Sequence, residues 1–375
     1  MRNLLPHITV AAIFLVSQQS CSFTQSGAGK NESDSTTFYS SGDFTAIKKT
    51  DAHVHVQVTD SSFIRQAIED NVNLFSIDYD DVNEPPPMEA QEKYALALQK
   101  SFPDRFQYAT TISVRKFNDD DWTTQSVSYI RNSLSNGAKA VKIYKVIGMS
   151  LRDKQDNLVM IDDPRFDSLF AFLEKNNVPV VGHLGEPRNC WLPLEKMTVK
   201  GDISYYKEWP VYHMYKHPGM PSYEDQIRAR DNMLANHPAL RFVGAHLGSL
   251  EWNVDSLAAR LDRFPNMAVD MAARIVHLEV QARDNWQKVH DFLIKYNGRL
   301  LYATDLLVNE DSDPAGAIKS AHETWLNDWK FFTSGETMTS SQFDGSFKGM
   351  KLPKYVIDNI YTKNARNWLG VFSSE

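Results

Sequence analysis

Residues 49–56 read Lys-Thr-Asp-Ala-His-Val-His-Val, a short run with apolar residues interleaved among Asp51, His53 and His55. Alternation of this kind predicts a strand, within Ala46–Val56. In a strand, residues two apart point to the same face, so the imidazoles of His53 and His55 can converge on one point. One His-x-His pair arises readily by chance. Its weight depends on how the other strands end.

Working outward, seven more β-rich runs follow: Val72–Asp78, Phe106–Val114, Ala138–Ile147, Val178–His183, Leu240–His246, Met267–Asp270 and Leu300–Thr304. Helical patterns lie between them at Met88–Ser101, Thr123–Ser135, Phe166–Asn176, Glu224–Asn236, Val254–Phe264 and Asn285–Tyr296. Strands alternating with helices imply βαβ units and a parallel sheet. Eight such units predict an α/β fold of the (β/α)8 TIM-barrel class, in a single domain spanning 46–372. An open doubly wound sheet is the alternative. The first strand lacks the Gly-x-Gly-x-x-Gly that the dinucleotide-binding version of that sheet would carry.

A barrel gathers its functional residues at the C-terminal ends of its strands. The fifth run ends in Val-Gly-His183-Leu-Gly-Glu186, the sixth in Gly-Ala-His246-Leu-Gly, and the eighth in Tyr-Ala-Thr-Asp305. Four of the chain's 11 histidines and an aspartate therefore fall where a barrel would bring them together. Mixed imidazole and carboxylate donors suit zinc and related divalent ions.

This ordered set resembles the amidohydrolase superfamily, in particular its amidohydrolase-related branch. The likeness runs from about Lys49 to Gly370 and includes the closing helix Ile360-Tyr-Thr-Lys-Asn-Ala-Arg-Asn-Trp-Leu-Gly370. The resemblance implies one divalent metal held by His53, His55, His183 and Asp305, with zinc expected and manganese as the alternative. It implies that His246 either binds a second metal or polarises the substrate. Relatives with two metals carry a bridging carboxylated lysine on the fourth strand, and Lys142 is nearest that position; one metal is the expectation here.

A divalent ion lowers the pKa of its water from about 15.7 to about 7. Asp305 would take that water's proton and pass it to the leaving group, while His246 donates a hydrogen bond or positive charge to the oxyanion. The expected reaction is hydrolysis of an ester, lactone or amide in a small molecule. Non-oxidative decarboxylation on the same scaffold is the first alternative, although decarboxylating relatives often replace one first-strand histidine by a carboxylate. A non-catalytic, ligand-binding lipoprotein is the second.

The segment 188–223 is far longer than the usual connection after a barrel strand and is rich in Trp, Tyr and His. It is expected to form a lid over the site or to pack onto the barrel. Glu186, Arg188, Trp191, Asp270 and Arg274 fall at or beyond strand ends and are candidates for substrate contact. Structural ion pairs are the competing role for the charged four.

The N-terminus has a separate character. Arg2 precedes a mostly apolar run, Leu4–Val16, too short to cross a bilayer but suited to a signal peptide. Cys21 follows, so 1–21 is read as a signal peptide of lipoprotein type and 22–45 as a flexible linker. The expected location is the bacterial cell envelope, with the membrane reached through lipidated Cys21. Cys190 then has no partner within the chain. A net charge of −7 without a basic cluster argues against nucleic acid as a partner. Homo-oligomerisation is left open.

Overall fold

The structure, a computed structural model, describes residues 37–81 and 86–372. The expected signal peptide lies outside the described residues. Eight parallel strand positions run in chain order: β1 Lys49–Val56, β2 Val72–Ile77, β3 Phe106–Thr111, β4 Val141–Ile143, β5 Val180–Gly182, β6 Phe242–Gly244, β7 Met267–Asp270 and β8 Leu300–Leu301, continued by β9 Leu306–Val308. Each pairs with its predecessor. The final run, 300–308, pairs with β7 at its start and with β1 at its end, where Val54 meets Leu306. Between these, Ala52 N–H donates to Tyr302 O (2.9 Å) and Asp305 N–H to His53 O (2.8 Å). The strand order thus returns to where it began, a TIM-barrel-like arrangement.

Strands covered on both faces need little alternation, and β2 is buried at all six positions. Inside the ring lie Ala52, Phe75, Ile77, Ala109, Val181, Val243, Ala268 and Leu301, closed from below by Ala365, Leu369 and Val371. Outside it, Val54, Leu74, Tyr108 and Phe242 face the helical layer. A Cβ at Gly182 would stand 2.4 Å from the Phe242 ring, so only glycine allows β5 and β6 this approach. The helix Pro314–Thr333, capped by Asp313 accepting from Gly316 N–H, buries Trp325 and Trp329 fully against the β1 side.

Two expectations shift. The pattern predicts a fourth strand over 138–147, and the strand ends at Ile143. Val146–Met149 is a short turn with Gly148 at φ +91°, and Lys145 departs from the strand to meet Glu186. The linker read over 22–45 is already packed from residue 37. Phe44 is buried, Tyr39 Oη donates to Asp358, and Phe38 bridges to Pro353. Tyr39 and Phe44 pack against Trp329, a partner that a polar-rich stretch does not announce. The long segment after β5 contains the helix Lys200–Glu208 and its own core of Cys190, Met197, Tyr206 and Met214.

Candidate metal centre

The two first-strand histidines are aimed by a local irregularity as well as by alternation. The β1–β2 register shifts between Asp51 and Val54. Such a bulge lets consecutive residues share a face, so Ala52 remains inside the ring while Val54 and Val56 pack outward. Asp51 anchors the seam, accepting from Thr304 N–H (3.0 Å), Thr304 Oγ1 (2.6 Å) and Trp325 Nε1 (2.9 Å). The following turn places Asp305 in the left-handed region, at φ +70°. A non-glycine residue held there is strained, a common feature of functional sites.

His53, His55 and Asp305 form one cluster, with a ligand atom from each within 4.8 Å of the others. Asp305 Oδ1 lies 3.4 Å from His53 Nε2 and 3.3 Å from His55 Nε2. The protons on the rings are fixed from behind. His55 Nδ1 is 2.7 Å from Ile77 O, a carbonyl that can only accept, so Nδ1 carries the hydrogen. His53 Nδ1 lies 2.8 Å from Asp270 Oδ2. Burial opposes the Asp270 charge, but the groups facing it, the His53 hydrogen bond and the Lys142 ammonium among them, hold its carboxyl below the ordinary value. Asp270 therefore accepts, and His53 Nε2 carries a lone pair. Three lone-pair-bearing atoms consequently face one another, an arrangement that calls for a cation. These donors fit a divalent metal.

The neighbouring groups are tuned the same way. Burial, with Lys142 nearby, lowers the His53 pKa. Burial and then His246 push His183 well below its ordinary value, and burial takes His246 to about 3. Both are neutral rings suited to coordination. His183 lies outside the three-residue cluster. Its ring stands 4.2 Å from that of His246, and its buried Nε2 has no hydrogen-bond partner among the described residues. His246 belongs to a left-handed turn: residues 246, 247 and 249 have φ of +59°, +57° and +55°. Such residues cost about 1–2 kcal/mol each. The turn is tied down by Asp270 Oδ1 accepting from His246 N–H (2.8 Å), and by Arg230 and Tyr223 donating to the carbonyls of Gly248 and Ser249. His246 Nδ1 lies 2.9 Å from Ala272 O, which assigns the hydrogen to Nδ1 and leaves Nε2 bare. Lys142 Nζ stands 3.2 Å from His53 Nε2, and burial lowers its pKa to about 8.

The five candidates for substrate contact separate by geometry. Asp270 is buried beneath the histidines and cannot meet a substrate; it orients His53 and His246 instead. Trp191 is taken up by packing on Tyr223 and donating to Pro221 O. The Arg188 guanidinium stacks 4.0 Å from the Trp252 ring. Glu186 accepts from Lys145 Nζ at 2.5 Å, and its other oxygen lies 4.0 Å from His183 Nε2. Arg274 sits among Asp202, Glu251 and Glu186, whose charges raise its pKa against burial. Sequence reasoning assigned no role to Asp51, Lys145, Tyr79 or Tyr144. Tyr79 stacks on Tyr144 (4.8 Å) and meets His55 edge-on (5.3 Å), and Tyr144 meets His183 (5.8 Å). Their only signal was position, one or two residues past the ends of β2 and β4.

Comparison with known proteins agrees with this architecture. No curated protein matches the sequence. Among solved structures, an uncharacterised TIM-barrel protein from Bordetella bronchiseptica is similar at TM-score 0.50 and 16% identity, covering 86% of this chain and 99% of that one. A candidate amidohydrolase from Staphylococcus aureus gives TM-score 0.50 at 10% identity, covering 87% and 100%. A 2,6-dihydroxybenzoate decarboxylase from Rhizobium gives 0.47 at 14%, covering 87% and 99%. At these identities the likeness is one of fold. The amidohydrolase family model matches residues 114–371, more than half of the chain, and the chain therefore belongs to the amidohydrolase family.

Proposed function

We propose that this chain is a metal-dependent hydrolase that cleaves an ester, lactone or amide bond in a small molecule. The observation that carries the proposal is the convergence of three lone-pair-bearing atoms, His53 Nε2, His55 Nε2 and Asp305 Oδ1. With His183 they would hold one divalent ion, zinc in preference to manganese. When bound, such an ion supplies Lewis-acid polarisation and lowers the pKa of water.

Asp305 is the solvent-facing carboxylate of the set, with its side chain 29% exposed while His53 is fully covered. It therefore serves as the group that takes a proton from water and returns it to the leaving atom. Asp270 holds His53 in the tautomer whose Nε2 is free. Of the two roles expected of His246, metal ligand or donor to an oxyanion, this geometry favours the first: neutral, and with its hydrogen committed to Ala272, it offers a lone pair at Nε2. Positive charge for the developing oxyanion is left to Lys142, the buried ammonium beside His53.

Screening the metal-loaded protein against lactone, ester and amide collections, with acid release and CO₂ followed in parallel, tests this reading. Acid release without CO₂ is expected. CO₂ evolution would move the reaction to decarboxylation, and a purified protein without stoichiometric metal would favour a binding role. We also propose export and lipid attachment at Cys21. Incorporation of an alkyne-tagged fatty acid in a bacterial host, abolished by Cys21→Ala, is the expected result.

A further inference from the structure

A cavity of about 410 Å³ opens between the barrel rim and the segment after β5, beside the metal centre. Its volume lies within the range of pockets that take small ligands. Val146, Met149, Val211 and Met214 make its walls largely apolar, and Tyr212 adds an aromatic side. Lys145 and Glu186 line its barrel side, with Asp81 and Ser150 as the remaining polar groups. Glu186 links the cavity to the histidines, since one carboxylate oxygen holds Lys145 and the other faces His183 at 4.0 Å. Glu186 and His183 thus stand between the cavity and the His53, His55 and Asp305 cluster.

The cavity's floor has a defined chemistry. The Lys145 ammonium is surrounded by the rings of Tyr144, Tyr205 and Tyr212, at 5.7, 5.9 and 5.2 Å. Its side chain is 12% exposed, and it donates to Glu186. An ammonium has three donors, and its positive charge favours an oxygen acceptor entering the cavity. Apolar walls reward hydrocarbon, whereas a buried charged floor rewards an acceptor.

We propose that this cavity is the specificity pocket of the enzyme, taking an apolar acyl or aryl arm of the substrate that carries an oxygen acceptor at the end nearer the barrel. The inference rests on the metal centre being the reacting site. Met149 and Met214 set the depth of the pocket, and Lys145 reads the acceptor.

Ligand-observed NMR titration tests this without requiring turnover, using acetamide, hexanamide and 3-oxohexanamide on the metal-loaded full chain. Affinity should rise with apolar length, by up to about four-fold per buried methylene, and rise again with the oxo group. Met149→Trp, which fills the pocket, should weaken hexanamide at least about ten-fold and leave acetamide unchanged. Met214→Ala, which widens it, should instead favour bulkier arms such as 4-phenylbutanamide. Thermal melting checks that both variants fold. If Met149→Trp and Met214→Ala bind every amide as the parent does, the pocket assignment is overturned. If the ladder is obeyed but no ester or amide is ever cleaved, the pocket stands and the hydrolase reading falls.

Discussion

Asp270→Asn tests the tautomer argument most directly. Oδ1 of Asp270 accepts two backbone hydrogens, from His246 N (2.8 Å) and Ala272 N (3.2 Å), while Oδ2 meets the single Nδ1 of His53 (2.8 Å). An asparagine keeps one acceptor. Facing its NH₂ toward the two backbone donors would lose two hydrogen bonds, at about 1 kcal/mol each before the cost of leaving donors buried. The favoured rotamer therefore turns NH₂ toward His53. That donor requires a lone pair at Nδ1 and shifts the ring hydrogen to Nε2, the atom facing Asp305. The ring then cannot coordinate. Loss of such an outer partner costs about 10–100-fold in metal affinity, or roughly 1.4–2.7 kcal/mol. Calorimetric titration of zinc into metal-stripped parent and variant measures this, with circular dichroism as the check on folding. A folded Asp270→Asn protein that binds zinc as tightly as the parent would refute the assignment of hydrogens at the site.

Four further outcomes are expected. Asp305→Asn should lower kcat by about 10²–10⁴ in any substrate assay, and persistent turnover would show that another group moves the proton. Elemental analysis should give one ion per chain, a ratio unaltered by Lys142→Met. Two ions falling to one in that variant would instead indicate a lysine-bridged pair. Burial raises the Glu279 carboxyl to about 7. The folded state therefore binds more protons at this position than the unfolded state between the ordinary value of 4.5 and about 7. Stability contributed by Glu279 falls as pH rises through that window. Denaturant unfolding should accordingly show Glu279→Gln gaining on the parent by up to about 3 kcal/mol between pH 4 and 8, and a pH-independent difference would contradict this. Trp325→Phe removes one donor to Asp51 from a packed site and should cost about 1–3 kcal/mol, read from the same unfolding curves.

The sequence by itself carried the fold and the identity of the central donors. Period-two and period-3.6 patterns are local, so the eight strand positions and six of the helices are legible from neighbours in the chain, while Ser62–Glu69, Ile275–Asp284 and Pro314–Thr333 are not among them. Once the strands were placed, the barrel rule brought His53, His55 and Asp305 to one end, and the structure joins them there. Segment 37–45 was misjudged because Phe38, Tyr39 and Phe44 lie in a polar context, and their partners Pro353, Asp358 and Trp329 are more than 250 positions away.

The roles of individual site residues depended on such distant partners. Asp270 has a strand-end position in sequence, and only its burial beneath two imidazoles makes it an orienting group. His246 is one histidine among several until Ala272 O commits its Nδ1 hydrogen. Lys145 lies within a strand-like run, and the cavity beside it exists because residues 211–214 fold back over the rim. Local patterning determines which atoms are present at the barrel mouth. Tautomer, charge and cavity shape are set by contacts between distant parts of the chain, and these arise only when the barrel closes.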